Sequence, residues 1–432
     1  MRTDIPNSTE RPVVFAFSGG PGDSSIALNY RLLGPKRWTD AAPGEDQSEA
    51  NAPERKLVDN DASLLDVADL VLIDTPGTGF SRPLRPNGLS YFWTAPHDAE
   101  AVEAYLRRWL TEHDRTASPI YVLGESYGGY RISVMAPHLA DLNVLGLVMV
   151  SPALDMTDQP GTSGIPDAHF VFNFPTEAVA AWTHHRVTSG QKTAEGVFNE
   201  AATFAQTDLL EALQLGSTLP ASVRDKMAQR MSGMIGIPSA DLAQANLRID
   251  PQQFLETLLP GRVVGRLDTR MSGPAYPEAL VEGRTKQADD PSLGIGASNI
   301  MTDAKVGDYL RSVGVKTTEP YVRLNLNMNF NLDWAYGSRT FEDVLRLNPT
   351  PNVATLMEKR PRLQLLLVGG YYDMTIPILG PRYAITHTAI PLQRVRMVAF
   401  DGPHAAYLGS LRRQQVASEI RALVEGRMSP KS

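Results

Sequence analysis

Short, predominantly apolar runs with helical patterns between them constrain the fold of this sequence more than any other feature. They fall at residues 13–17, 70–74, 120–123, 145–150, 363–368 and 395–400. Runs without polar alternation suit strands buried on both faces, as in a parallel sheet covered by helices on each side. Over residues 97–112, Val102, Tyr105, Leu106, Trp109 and Leu110 form the stripe of a core-facing helix. Leu411, Ile420, Leu423 and Val424 repeat that pattern near the end of the chain. Strands alternating with helices predict a doubly wound α/β sheet.

Between about Met156 and Ala335 the alternation fades. Helical patterns dominate at 176–186, 194–215 and 239–245, with breaks at Pro260-Gly261 and over 272–277. The expected organisation is a first core part over 1–155, an inserted and mainly helical cap over 156–335, and a second core part over 336–432.

Composition narrows the function classes. The 432 residues carry 41 basic and 48 acidic side chains, so the net charge is 41 − 48 = −7. That balance argues against a nucleic-acid surface, which needs clustered Lys and Arg. With no cysteine, a disulfide framework, a thiolate metal site and a cysteine nucleophile are excluded. No apolar stretch reaches the roughly 18 residues of a membrane span. The polar start, MRTDIPNSTERP, lacks a signal-peptide core. The chain as it stands reads as cytoplasmic, or as periplasmic or secreted if a leader was removed.

The chemistry centres on Ile120-Tyr121-Val122-Leu123-Gly124-Glu125-Ser126-Tyr127-Gly128-Gly129-Tyr130. A buried strand runs into G-x-S-x-G and a helical pattern follows, the context of a nucleophile elbow. Gly124 and Gly128 permit the tight turn that lifts Ser126 Oγ above the sheet. A Gly-rich surface turn is the plainer alternative.

A serine nucleophile needs a base, and in this arrangement the acid and then the histidine follow it in the chain. His97 and His113 come too early, and His138 sits on the elbow helix. Of His169, His184, His185, His387 and His404, only His404 directly follows a late apolar run; His184 and His185 lie in a helical cap pattern. The acid should follow the preceding run, where Gly369-Gly370-Tyr371-Tyr372-Asp373 supplies Asp373. Asp401 is the rival, three residues before His404. Backbone N–H donors for an oxyanion would come from Tyr127 and from the loop Ser18-Gly19-Gly20-Pro21-Gly22. An ordinary Gly-Pro turn is the alternative for that loop. Tyr371 and Tyr372 read as packing aromatics. Asn325, Asn327 and Asn329 alternate along a possible strand at the cap exit.

With these pieces in place the chain resembles the serine carboxypeptidases, peptidase family S10, most closely their bacterial members. The resemblance rests on Gly19-Gly20-Pro21-Gly22, Ile73-Asp74-Thr75-Pro76-Gly77-Thr78-Gly79-Phe80-Ser81, Gly124-Glu125-Ser126-Tyr127-Gly128, Gly370-Tyr371-Tyr372-Asp373 and the His404 segment, in family order over nearly the whole chain. It implies an α/β-hydrolase fold with a helical cap, the triad Ser126, Asp373 and His404, and oxyanion donors at Gly20 and Tyr127.

The departures bear on substrate. Family members have Asn where Ser18 stands, and that Asn helps bind the C-terminal carboxylate of the substrate. Glu125 retains the family glutamate before the nucleophile. Leu32 replaces a second glutamate, so the acid pair that favours binding at low pH is expected to be absent. Asp23 replaces a cysteine or serine. The family has more chain before its Gly-Gly motif, which suggests missing leading strands. Substrate-binding candidates are Ser18, Gly19 and Glu125, although Glu125 equally suits a carboxylate bracing the early loop.

The leading expectation is therefore a serine hydrolase forming an acyl-enzyme, a carboxypeptidase acting on peptides. An esterase, acyltransferase or cyclase acting on a small acyl substrate is the second reading, and a non-catalytic binding module the third. No metal or dinucleotide motif occurs, so no cofactor is expected. The oligomeric state is not encoded in any recognisable feature.

Overall fold

The computed structural model describes residues 8–39, 56–85, 88–156, 167–276, 289–293, 299–329 and 347–429. Its centre is a six-stranded sheet of β1 (Val13–Phe17), β2 (Asp69–Leu72), β3 (Ile120–Glu125), β4 (Val144–Val150), β5 (Gln364–Gly370) and β6 (Val395–Phe400). The strand order is β6-β5-β4-β3-β1-β2, and every pairing is parallel.

Strand β1 explains why its residues are apolar without a break. Val13, Phe15 and Phe17 face one core; Val14 and Ala16 face the other. The first core takes Val102, Leu106 and Leu110 of α1 (Ala95–Glu112) and Ile132 and Met135 of α2 (Tyr127–Met135). The second takes Leu28, Leu32 and Leu33, with Val416, Ile420 and Leu423 from the C-terminal helix (Ser410–Val424). Phe15 meets Trp109 edge-on at 5.4 Å, and truncating so buried a ring to alanine costs about 3–5 kcal/mol.

Two expected stripe members fall off the buried face: Tyr105 is 45% and Leu411 59% exposed. The run at 70–74 also yields a shorter strand. Its end is diverted because Asp74 leaves the ladder to accept from Ser25 N and Oγ, each at 2.8 Å.

Between β4 and β5 no described residue joins the central sheet. This stretch holds α3 (Asp167–Thr183), α4 (Ala194–Phe204), α5 (Ala221–Ile235) and small antiparallel ribbons. Helix α3 is buried nearly all round, as a helix packed among other helices should be. It stops at Thr183, so His184 and His185 lie in the following turn rather than in a helix. There His184 Nε2 is 2.7 Å from the Thr269 carbonyl. One ribbon pairs Ile300–Thr302 with Val322–Asn325. The latter then enters a helical turn at Leu326–Asn329, so Asn325, Asn327 and Asn329 do not share one strand. The expected cap boundary at 335/336 and the expected break at Pro277 lie outside the described residues.

A parallel sheet of this order, with a tight strand-to-helix turn after β3 and helices on both faces, is the α/β-hydrolase fold. Among the described residues no helix is long and apolar enough to cross a membrane.

Candidate active site

The strand order reverses around β1, which is followed in the chain by β2 on one side and later flanked by β3 on the other. At such a switch point the loops leaving adjacent strands diverge and open a crevice at the carboxyl edge. Phe17 pairs with Gly124, so the Ser18-Gly19-Gly20 loop emerges beside Glu125-Ser126-Tyr127.

Ser126 has φ 58° and ψ −126° and precedes α2 directly. A non-glycine residue in this region is strained and persists only where its surroundings hold it. Here Ser126 N donates to Val150 O at 2.9 Å, and Ala153 N donates to Ser126 O at 3.0 Å. The flanking glycines are steric necessities: a Cβ on Gly124 would lie 2.4 Å from Gly128 O, and one on Gly129 would lie 2.2 Å from Pro152 Cβ. The oxyanion candidates are equally close. A Cβ on Gly19 would sit 2.5 Å from Tyr127 N and 2.8 Å from Ser126 Cβ, while Gly20 adopts φ 97°.

The loops after β5 and β6 bring in the other two candidates. Asp373 is fully buried. Its Oδ1 accepts from Thr375 N at 2.9 Å and Ile376 N at 3.0 Å, and its Oδ2 lies 2.8 Å from His404 Nδ1. Burial works against a charged His404 imidazole, but the Asp373 carboxylate, aided by Glu125 and Asp23, outweighs it and raises the pKa. Asp401, the rival acid, is instead paired with Arg412 at 2.9 Å. Ser126 and His404 line one cavity of about 220 Å³, together with Ser18, Gly20 and Glu125.

Ser18 and Glu125 belong to one hydrogen-bonded cluster with Asp23 and Tyr407. Ser18 Oγ donates to Asp23 Oδ2 at 2.7 Å and lies 3.4 Å from Glu125 Oε2. Tyr407 hydroxyl donates to Glu125, 2.9 and 3.0 Å from its two oxygens. Burial pushes the Glu125 pKa up to about 7, and burial raises Asp23 as well. The acid pair expected to be missing with Leu32 is thus rebuilt from Asp23, with Ser18 as the bridge. Leu32 itself is buried in the second core.

Arg131 ties the two loops together. From α2 it donates to Ser18 O at 2.7 Å and to Asp98 Oδ2 at 2.5 Å. Its guanidinium lies 5.1 Å from the Phe17 ring centre and 5.2 Å from that of Tyr127. Neither Arg131, Asp98 nor Tyr407 carried a motif that singled it out in sequence. Tyr371 packs against Phe198, and Tyr372 lies under Arg270. The remaining histidines sit apart from this cluster: His97 stacks on Tyr91, His113 on Trp109 and His387 on Tyr383. Among the described residues no group of His, Cys, Asp or Glu could hold a metal ion.

A buried Asp–His pair sharing a cavity with a serine on a strained elbow is the arrangement of a serine hydrolase. Residues 2–147 match the family model of the serine carboxypeptidases. This first third of the chain is similar to that family. Within the curated proteins, serine carboxypeptidase-like 14 of Arabidopsis thaliana is 31% identical over 179 residues, 38% of each chain. Serine carboxypeptidase-like 17 of the same plant is 30% identical over 174 residues, again 38% of each. The chain therefore spans less than two fifths of the curated relatives it matches. Among solved structures, the peroxisomal α/β-hydrolase Lpx1 of Saccharomyces cerevisiae is 13% identical with a TM-score of 0.38, covering 99% of this chain and 80% of that one. A thermophilic esterase of Thermogutta terrifontis is 13% identical with a TM-score of 0.37, covering 97% and 91%.

Proposed function

We propose that this protein is a serine hydrolase of the serine carboxypeptidase type, working through an acyl-enzyme on the C-terminal bond of a peptide. Ser126 is the nucleophile, His404 the general base and Asp373 the acid that orients it. The observation that carries the reading is the 2.8 Å contact of His404 Nδ1 with a buried Asp373. It leaves the other ring nitrogen for the Ser126 hydroxyl, whose residue lines the same cavity.

In this reading Ser126 Oγ attacks the acyl carbon and passes its proton to His404. The carbonyl oxygen becomes an oxyanion held by the backbone N–H groups of Gly20 and Tyr127. The C–N bond breaks and His404 protonates the departing amine. Water then attacks the acyl-enzyme, His404 takes its proton, and the acid leaves as Ser126 recovers the hydrogen. Preorganised donors of this kind are each worth roughly 10²–10³ in rate.

One observation favours a second reading, an esterase or acyltransferase with the same triad. Ser18, at the position of a carboxylate-binding amide in the family this chain resembles, already spends its hydroxyl on Asp23. A fluorophosphonate probe tests both readings at once. It is expected to label Ser126 and to leave Ser126→Ala unlabelled; an unlabelled wild-type protein removes them together. Blocked dipeptides and matched esters then separate the two. Faster kcat/KM on peptides upholds the carboxypeptidase, and turnover of esters alone replaces it.

A further inference from the structure

Strands β5 and β6 end at Gly370 and Phe400, so the sheet ladder no longer fixes the chain where Asp373 and His404 stand. Their backbone is held instead by a loop between the cap strands Arg262–Val264 and Ser272–Pro274, which pair antiparallel. Gly265 N donates to Met271 O at 2.9 Å and closes this loop into an arch. Thr269 N donates to Tyr372 O at 3.0 Å, and Met374 N donates to Arg266 O at 3.0 Å. Both peptide groups that flank Asp373 are thus bonded to the arch. His404 N donates to Leu267 O at 2.8 Å, so the same arch holds the base.

The arch is held in turn by two side chains of a second cap segment. Asp290, only 6% exposed, accepts from Arg266 N through Oδ2 at 2.8 Å. Its Oδ1 accepts from Ser292 N at 2.8 Å and from the Ser292 hydroxyl. Ser292 Oγ accepts from Leu267 N at 3.0 Å. The N–H groups of Arg266 and Leu267 therefore go to Asp290 and Ser292, while the carbonyls of the same two residues hold Met374 and His404. A carboxylate leaves water at a cost, and here both of its oxygens are spent on this fastening. The contact has no slack: a Cβ on Gly265 would lie 2.8 Å from Asp268 O and 2.8 Å from Ser292 Cβ. Arg270, paired with Asp268 at 2.7 Å, adds a side-chain contact 4.8 Å from the Tyr372 ring centre.

We propose that Asp290 and Ser292 are positioning residues of this site, which act through the peptide groups of Arg266 and Leu267 to hold Asp373 and His404 in register for proton transfer. The inference rests on Ser126, Asp373 and His404 being the triad. It makes the cap part of the catalytic apparatus: the acid and the base stand on core loops, but the carboxylate that fastens them belongs to the cap. Both residues also line the catalytic cavity, so direct contact with substrate is the rival role, and it has a different kinetic signature.

The experiment follows an uncharged fluorophosphonate on the full chain, a probe that serves whichever acyl substrate is used. Ser126 Oγ bonds to phosphorus, fluoride leaves and His404 takes the proton. The maximal labelling rate kinact and the half-saturating concentration KI are measured across pH. Burial lowers the His404 pKa, and Asp373, with Glu125 and Asp23, more than offsets this. Loosening the arch weakens the Asp373 contribution, so the acid limb of kinact moves to lower pH. Asp290→Ala and Ser292→Ala are each expected to lower kinact roughly ten- to hundredfold and to change KI less than about threefold. Asp290→Asn, which keeps one accepting oxygen, should fall between wild type and Asp290→Ala. Ser292→Ala removes a single hydroxyl and keeps the test open if Asp290→Ala does not fold. A role in folding alone would reduce the labelled fraction but leave kinact and the limb of the labelled molecules in place, which overturns the proposal. A change confined to KI assigns the residues to substrate contact and overturns it too, as does an unchanged kinact. Any of these with wild-type Ser126 labelled leaves the hydrolase reading standing, whereas a wild-type protein unlabelled at Ser126 removes both.

Discussion

Arg131, on the helix that follows Ser126, donates to the carbonyl oxygen of Ser18 at 2.7 Å while paired with the buried Asp98. One guanidinium thus fixes the spacing between the loop after β1 and the elbow after β3. Burial raises the Asp98 pKa against the pull of Arg131, so the carboxylate depends on that partner. Arg131→Met is expected to cost about 3–5 kcal/mol, because it strands a buried charge. Arg131→Met with Asp98→Leu should cost clearly less than the two single changes added. Denaturant midpoints of the three variants decide this, and simple additivity would count against it.

Asp373→Asn tests the orienting acid without emptying its place. Asn Oδ1 can still accept from Thr375 N and Ile376 N. Its amide would donate to His404 Nδ1, leaving the proton on the wrong ring nitrogen. A kcat loss of about 10⁴ is expected with a near-native melting temperature. Ser126→Ala should abolish turnover with little change in stability, since the side chain supplies chemistry rather than packing. Retained activity in purified Ser126→Ala protein would move the nucleophile elsewhere.

Gly19→Ala probes the oxyanion region sterically. The new Cβ would fall 2.6 Å from Glu125 O as well as crowding Tyr127 N, and these are backbone atoms that cannot swing aside. The expected outcome is a fall in kcat of at least about 10²-fold, the scale of one lost oxyanion donor. An active Gly19→Ala enzyme would show that the loop tolerates a shift and does not hold the oxyanion tightly.

Two groups should set opposite pH limbs. In the proposed mechanism His404 acts as a base only when neutral, and its pKa is raised. Turnover of uncharged substrates should therefore fall with acid, along a limb above the ordinary imidazole value of about 6.5. Glu125 is neutral below its pKa of about 7 and becomes anionic above it, opposing a bound carboxylate. Asp23, the acid that faces Glu125 across Ser18, is likewise raised by burial. The ratio of kcat/KM for acid over amide should consequently decline as pH rises through about 7. Tyr407→Phe removes a hydrogen bond that favours the charged carboxylate, so the decline should move to higher pH. A ratio flat with pH would separate Glu125 from substrate charge. The two titrations are coupled and will appear as properties of the pair.

The sheet and the elbow were readable in sequence because their causes are local. A strand buried on both faces must be apolar throughout, as residues 120–123 are, and a tight turn must have glycine where a Cβ would strike backbone. His404 and Asp373 could be singled out because each follows a late apolar run. The Ser18–Asp23–Glu125 bridge was not readable. Asp23 looked like a replaced cysteine or serine, and only the placement of its loop against β3 turns it into the partner of Glu125. The placement of the strand Val322–Asn325 was hidden for the same reason: it depends on backbone pairing with Gly22, Ser24 and Gly79, far away in the chain. Tyr105 and Leu411 show the converse error, apolar residues at helical spacing that the packing leaves in water.

The strand Val322–Asn325 exchanges backbone hydrogen bonds with Gly79, Ser24 and Gly22. Such bonds read no side chain. Diversification of the long segment before it can proceed by substitution while its exit stays moored to two core loops. What varies in that segment is thereby uncoupled from what holds its end in place.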